Sequence, residues 1–281
     1  LRAIPLRQLR GFLKPGVDIA GVIDGQLKGR LDAQGKIEGE ASLQTRDGEL
    51  QLQFDEEAEE SYRWQHAGVT ASFKNNRLNA KADIDWAPFG NLDADLNLNL
   101  DNQQLGGQLV GTFADLSPFA AFIPTVDDLR GRLVTDLNFG GTLQKPQLSG
   151  QLTLVEGGAT MTELGLDIQA AGFTLDSHSD GRITFRGNAQ SGEGNMQLSG
   201  EFDGLGKTDW RANAELRGEN FQVIDQSQIK ARVSPDIQLT ATPQEARLTG
   251  RALIPYARID IKTLPPSATN VSSDVVFEDE D

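Results

Sequence analysis

The chain has 281 residues, of which 38% are hydrophobic, 24% charged and only 6% aromatic, and its 41 acidic and 26 basic side chains leave a formal charge of −15. That acidity excludes wrapping of a nucleic-acid backbone, which needs a basic surface. The lack of cysteine excludes disulfides, thiol catalysis, iron–sulfur clusters and cysteine zinc sites together.

The first predicted element is a short helix over residues 6–14, ended by Pro15. From Ile19 to Leu43 every odd position is then apolar or glycine, and the even positions are mostly polar, Asp24, Gln26, Lys28, Arg30 and Glu38 among them. A period of two places the sets on opposite faces of a sheet, and the length of the run requires a turn near Asp32–Gly35. The alternation returns at Leu50, Leu52 and Phe54, at Val69, Ala71 and Phe73, and over 92–100 and 105–113. Turns are expected at Asp47-Gly48 and Asn75-Asn76.

The segment Leu116-Ser117-Pro118-Phe119-Ala120-Ala121-Phe122-Ile123-Pro124 reads as a second short helix, with Pro118 in its first turn and Pro124 after its end. Strand patterns resume over 129–143, 148–154, 164–170, 183–189, 196–202, 210–218 and 248–254, with turn signals at Asp180-Gly181 and Pro243. About fifteen to eighteen strands and almost no helical periodicity make the chain all-β. The segment before Pro15-Gly16-Val17-Asp18-Ile19-Ala20-Gly21 matches the one before Pro124-Thr125-Val126-Asp127-Asp128-Leu129-Arg130-Gly131. This suggests an internal repeat of about 110 residues. Units over 6–115 and 116–264 follow, with an acidic tail or onward strand at 265–281. Residues 146–152 are echoed at 248–252, after Pro243.

Signs of site chemistry are weak. Gly206-Lys207-Thr208 resembles the end of a phosphate loop, but Glu201 occupies the required glycine position and a strand follows, so it reads as a turn. Asp176, His178 and Asp180 mimic the opening of a calcium loop, yet Gly187 occupies the position of the bidentate glutamate, which leaves an acidic hairpin. His66 and His178 lie near no Ser–Asp pattern that would form a triad. The acidic runs at 55–60 and 278–281 read as solvated. No catalysis, metal or cofactor is expected.

An apolar sheet face has to be covered, by helices, by a second sheet, or by curling around its own groove. Helices are too few, and the many glycines and alanines of the inward set favour a curled sheet around a deformable guest over a filled core. The residues expected to line that groove are Ile23, Leu27, Leu31, Ile37, Leu96, Leu98, Leu109, Phe113, Leu133, Leu137, Leu152 and Leu154. A packed β-sandwich or solenoid of a surface protein is the alternative.

The glycine–leucine strands, the Leu-Ser-Pro-Phe-x-x-Phe-Ile-Pro segment, residues 141–152 (Gly-Thr-Leu-Gln-Lys-Pro-Gln-Leu-Ser-Gly-Gln-Leu) and the stretches 257–261, 264–266 and 272–276 resemble the TamB family within the wider AsmA-like group. The resemblance is sharpest over 116–276 and points to a late portion of such a protein. It implies a β-taco, a long mainly antiparallel sheet curled around a hydrophobic interior. It also implies a periplasmic location, as part of a protein anchored in the inner membrane of a diderm bacterium. The implied partner is a TamA-like outer-membrane barrel of the Omp85 class, contacted through a C-terminal segment that, with the anchor, is expected to lie outside this chain. Two roles follow from the resemblance: moving phospholipid between membranes along the groove, and assembling outer-membrane β-barrels and autotransporters. A chaperone-like groove for client β-strands, without lipid transport, is the rival within the family.

Overall fold

The computed structural model describes residues 4–31, 37–55, 58–178 and 180–260. Within them the chain forms β1 (Ile4–Pro5), β2 (Val17–Leu31), β3 (Ile37–Asp55), β4 (Ala58–Lys74), β5 (Arg77–Trp86), β6 (Gly90–Asn99), β7 (Gln104–Phe113) and β8 (Asp128–Thr142). There follow β9 (Lys145–Met161), β10 (Leu166–Ser177), β11 (Arg182–Ser191), β12 (Gly194–Asp203), β13 (Arg211–Glu219), β14 (Phe221–Asp225), β15 (Ile229–Ala241) and β16 (Ala246–Ile259). All sixteen belong to one sheet in which each strand up to β13 pairs with its chain neighbour, always antiparallel. β15 then pairs with β13 and β14 along one side and with β16 along the other. No second sheet is present among the described residues, so the packed sandwich is not formed.

Local chemistry explains where the strands turn. Asn75 and Asn76 both take positive φ, 51° and 56°, which tightens the β4–β5 hairpin into a two-residue turn. Asp180 accepts from the Arg182 backbone N–H at 3.0 Å and shapes the β10–β11 turn. One sequence expectation is corrected. Asp47-Gly48 makes no turn and lies inside β3, because an alanine Cβ at 48 would sit 1.8 Å from the Trp64 ring. The glycine is there to admit an indole. The two predicted short helices are present as 3-10 helices, Leu6–Phe12 and Ser117–Phe122. The expected turn at 32–35 and the tail at 265–281 lie outside the described residues.

The echoed phrases recur as equivalent hairpins. In β8–β9 the Lys145 N–H donates to Thr142 Oγ1 at 3.1 Å, and in β15–β16 the Glu245 N–H donates to Thr242 Oγ1 at 3.2 Å. Gly150 and Gly250 share positive φ, 116° and 126°, and a Cβ at either would strike an aspartate carbonyl oxygen, that of Asp136 at 2.0 Å or Asp236 at 2.1 Å. Glycine is required at both places for the same reason. Between the two 3-10 turns lie β2 to β7, and between the second turn and β15 lie β8 to β14.

Candidate functional site

Directly paired residues in a sheet share a face, so the register of each pair can be followed strand by strand. One row runs Gly25, Leu43, Val69, Ala82, Ala94, Leu109, Leu137, Gly150. It continues through Ser177, Ile183, Phe202, Ala212, Ala241 and Ala246. The next runs Ile23, Thr45, Ala67, Ile84, Leu92, Gly111, Thr135, Leu152, Leu175, Phe185, Gly200, Ala214, Leu239 and Leu248. A third joins Trp86, Gly90, Phe113, Leu133, Leu154, Phe173, Gly187, Leu198, Leu216 and Ile237. The alternate row reads Asp24, Gln44, Gly68, Asp83, Asp93, Val110, Asp136, Gln151, Asp176, Thr184 and Glu201. The acids therefore gather on the opposite face from the leucines.

Among the described residues, no layer covers the apolar face over most of its width. Burial concentrates at the rim where β2, β7 and β8 begin or end. The Leu6–Phe12 and Ser117–Phe122 turns fold inward there over Val17, Ile19, Leu50, Tyr62 and Trp86, and Ala121 is wholly buried. Lys14 ties the two turns together, its N–H meeting the Ala121 carbonyl and its ammonium donating to the Val126 carbonyl at 2.7 Å. Because the second turn also touches β3, the sheet curls between β3 and β8 to bring them together. Edge-to-face ring pairs, Trp64 with Trp86 and Phe113 with Phe119, complete this floor.

The same rim is closed further along by β14. A positive φ of 50° at Asn220 breaks the line of β13, and the chain crosses the ends of β10 to β12. Ser191 donates to the Gln222 carbonyl at 2.8 Å, and Phe221 and Leu166 are buried beneath. The opposite rim is open: Leu27 is 84% exposed, Leu31 70% and Leu143 50%. The result is a trough with a packed floor and a free mouth. A hollow of about 340 Å³ lies on its wall, bordered by Val69, Ala82, Ala94, Leu96, Leu109 and Phe139.

The register places all twelve predicted lining residues on this one face. Ile23, Leu96, Leu98, Leu109, Leu133, Leu137, Leu152 and Leu154 lie along the trough wall, and Leu27 lies at its mouth. Leu31 and Ile37 oppose each other at the mouth, and Phe113, only 5% exposed, belongs to the packed floor. The sequence reading missed the aromatic floor itself. Its signal was available, because Tyr62, Trp64, Trp86, Phe89, Phe113 and Phe119 hold a large part of a small aromatic complement within one stretch of chain.

The charged groups are structural in character. The Arg10 guanidinium hydrogen-bonds Asp18 at 2.6 Å and holds its carboxyl below the usual range. Gln169 and Arg130 do the same for Asp167, and Lys230 for Asp225. His66 meets Asp83 at 2.7 Å on the wet face, away from His178. Gly204 to Lys207 forms a tight turn, its Lys207 N–H bonding the Gly204 carbonyl at 2.8 Å. Among the described residues no cluster of three or more His, Asp or Glu side chains could hold a metal ion, and no helix is long and apolar enough to cross a membrane.

The family profile described as "TamB, N-terminal domain" matches residues 1–154, and that described as "TamB C-terminal domain" matches residues 184–281. The translocation and assembly module subunit TamB of Haemophilus influenzae is 31% identical over 211 residues. The alignment covers 74% of this chain but 16% of that relative, so the chain spans a minor part of the relative's length. No solved structure matches. One antiparallel sheet with its leucines sorted to a single uncovered face accords with both profiles, and the chain belongs to the TamB family.

Proposed function

We propose that this chain is a non-enzymatic section of a conduit in which phospholipid acyl chains lie along the trough, within a translocation and assembly module that supplies the outer membrane. The observation that carries the reading is the run of paired apolar rows from β2 to β16, open along the mouth. Each Å² of apolar surface taken from water is worth about 25 cal/mol, so the leucines of an open wall favour any guest that covers them. An acyl chain does this without bringing polar atoms. A client β-strand brings one N–H and one C=O per residue, which the apolar interior cannot satisfy away from a sheet edge. The relative's name, translocation and assembly module subunit, supports a place beside a TamA-like outer-membrane barrel. On this reading the section works in the periplasm of a diderm bacterium, as part of an inner-membrane-anchored protein, and serves barrel and autotransporter assembly through the lipid it delivers.

Photo-crosslinkers at Leu96 and Leu137 test the reading in cells. The expected adducts are acyl lipids, whereas barrel precursors at both positions would replace the lipid reading with a client-strand one. Leu133→Asp and Leu152→Asp should block passage, because a carboxylate in the wall interrupts the apolar path. Normal lipid adducts in a folded Leu152→Asp variant would refute the conduit.

A further inference from the structure

Among the described residues, three hydroxyl side chains stand in the three apolar rows traced above: Thr45, Thr135 and Ser177. Two of them are satisfied. Thr45 donates to the Ala67 carbonyl at 3.2 Å and accepts from Trp64 Nε1 at 2.8 Å, and Ser177 donates to the Leu148 carbonyl at 2.6 Å. Thr135 is 5% exposed, and its Oγ1 has no hydrogen-bond partner. Trp86 Nε1 is the other buried donor of this face without a partner, but its ring stands edge-on among Trp64, Phe89 and Phe119, where aromatic faces surround it.

The setting of Thr135 is otherwise wholly apolar. It lies between Gly111 of β7 and Leu152 of β9, with Leu133 and Leu137 two places before and after it on the same face. Burying a hydroxyl without a partner carries a desolvation penalty that an isosteric valine would avoid. On the β7 flank Leu92 leans over Gly111, the residue paired with Thr135, and its Cδ1 would lie 2.6 Å from a Cβ there.

We propose that the Thr135 hydroxyl is the hydrogen-bond donor by which the trough recognises the ester carbonyl of a glycerolipid. This rests on the lipid reading of the trough and adds to it a specificity-determining residue. An ester carbonyl fits because it brings one acceptor flanked by methylenes, and the methylenes meet Leu133, Leu137 and Leu152. A free fatty acid would bring a carboxylate, whose burial in this wall is far more costly. A polypeptide strand would bring many polar groups to a single spare donor.

The test compares a 1,2-diacyl phosphatidylethanolamine with its 1,2-dialkyl ether counterpart, each presented to the full 281-residue chain from phosphatidylcholine vesicles. Bound lipid is counted by native mass spectrometry. One hydrogen bond to a neutral acceptor corresponds to a preference of about three- to tenfold for the ester. Thr135→Val should abolish the preference while still binding both lipids, and Thr135→Ser should keep it. Equal binding of ester and ether by the unaltered chain overturns the proposal without any variant, as does a Thr135→Val chain that retains the preference. If neither lipid binds, the lipid reading of the trough falls first and the role of Thr135 falls with it.

Discussion

Tyr62 shows how one polar group is fitted into an apolar floor. Its ring is buried against Phe89, while its hydroxyl reaches out and donates to the Glu60 carboxylate. Burial first, and then the Glu60 bond, push the phenol up to about 12. A raised phenol favours the neutral form in the folded state, so its contribution is complete below the unfolded value of about 10 and is lost as pH rises to 12. The unfolding free energy followed over that window should fall by about 1–2 kcal/mol, reduced by solvent screening because the phenol is only part-buried, and Tyr62→Phe should flatten the fall. The carboxyls of Asp18, Asp167 and Asp225 have the opposite sign, since their lowered values add stability above about pH 4 that acid removes. Their exposure keeps that contribution small. Glu60 stands two residues before Tyr62 on the same strand and is legible as its neighbour, whereas Phe89, which meets the ring from the β5–β6 turn, is not.

At the scale of elements, the period of two was enough to assign the strands and their faces, as the runs 92–100 and 105–113 show by matching β6 and β7 closely. Breaks in that period were harder to read. Asp-Gly is a strong hairpin signal in isolation, yet in β3 the glycine is used to let Trp64 of β4 lie across the strand. The register of β2 against β3 shifts between Ala20 and Val22, opposite this place. The shift keeps both Ile19–Leu50 and Ile23–Thr45 on the inner face. Gly48→Ala should therefore cost about 1–3 kcal/mol, the penalty of overpacking, read as a lower urea midpoint with an unchanged slope. A neutral effect would mean that Trp64 has room to move. The short turns were placed correctly by Pro15, Pro118 and Pro124, but their job as floor was invisible. A plug is defined by what it covers, and its neighbours on β3 and β5 are far away in sequence.

Across the whole molecule, the packed floor and the wall proposed to hold a guest occupy different parts of one sheet. The packed floor carries the core, and the wall and mouth leave large apolar side chains in partial contact with water. A buried aromatic removed from the floor, Trp86→Ala, should cost about 3–5 kcal/mol. By contrast, Leu27→Asp at the mouth should change the unfolding free energy by less than about 0.5 kcal/mol. Equal costs at the two places would mean that the mouth is as covered as the floor. The separation lets a wall stay greasy, because its solubility is secured by the acid-rich outer face carrying Asp24, Asp83, Asp93 and Asp136.

By itself the sequence determined the class of the fold, the division of each strand into a wet and a greasy face, and the place on the greasy one of the twelve residues proposed to line the groove. These are local properties, since alternation depends only on the two-residue repeat of an extended backbone. The tertiary structure alone decided that the greasy face is left uncovered by a second sheet, that one rim is closed by two 3-10 turns and β14 while the other stays open, and that Thr135 keeps a donor without a partner. Those depend on register and curl, which bring together residues more than a hundred positions apart, such as Lys14 and Val126. No local pattern carries that information.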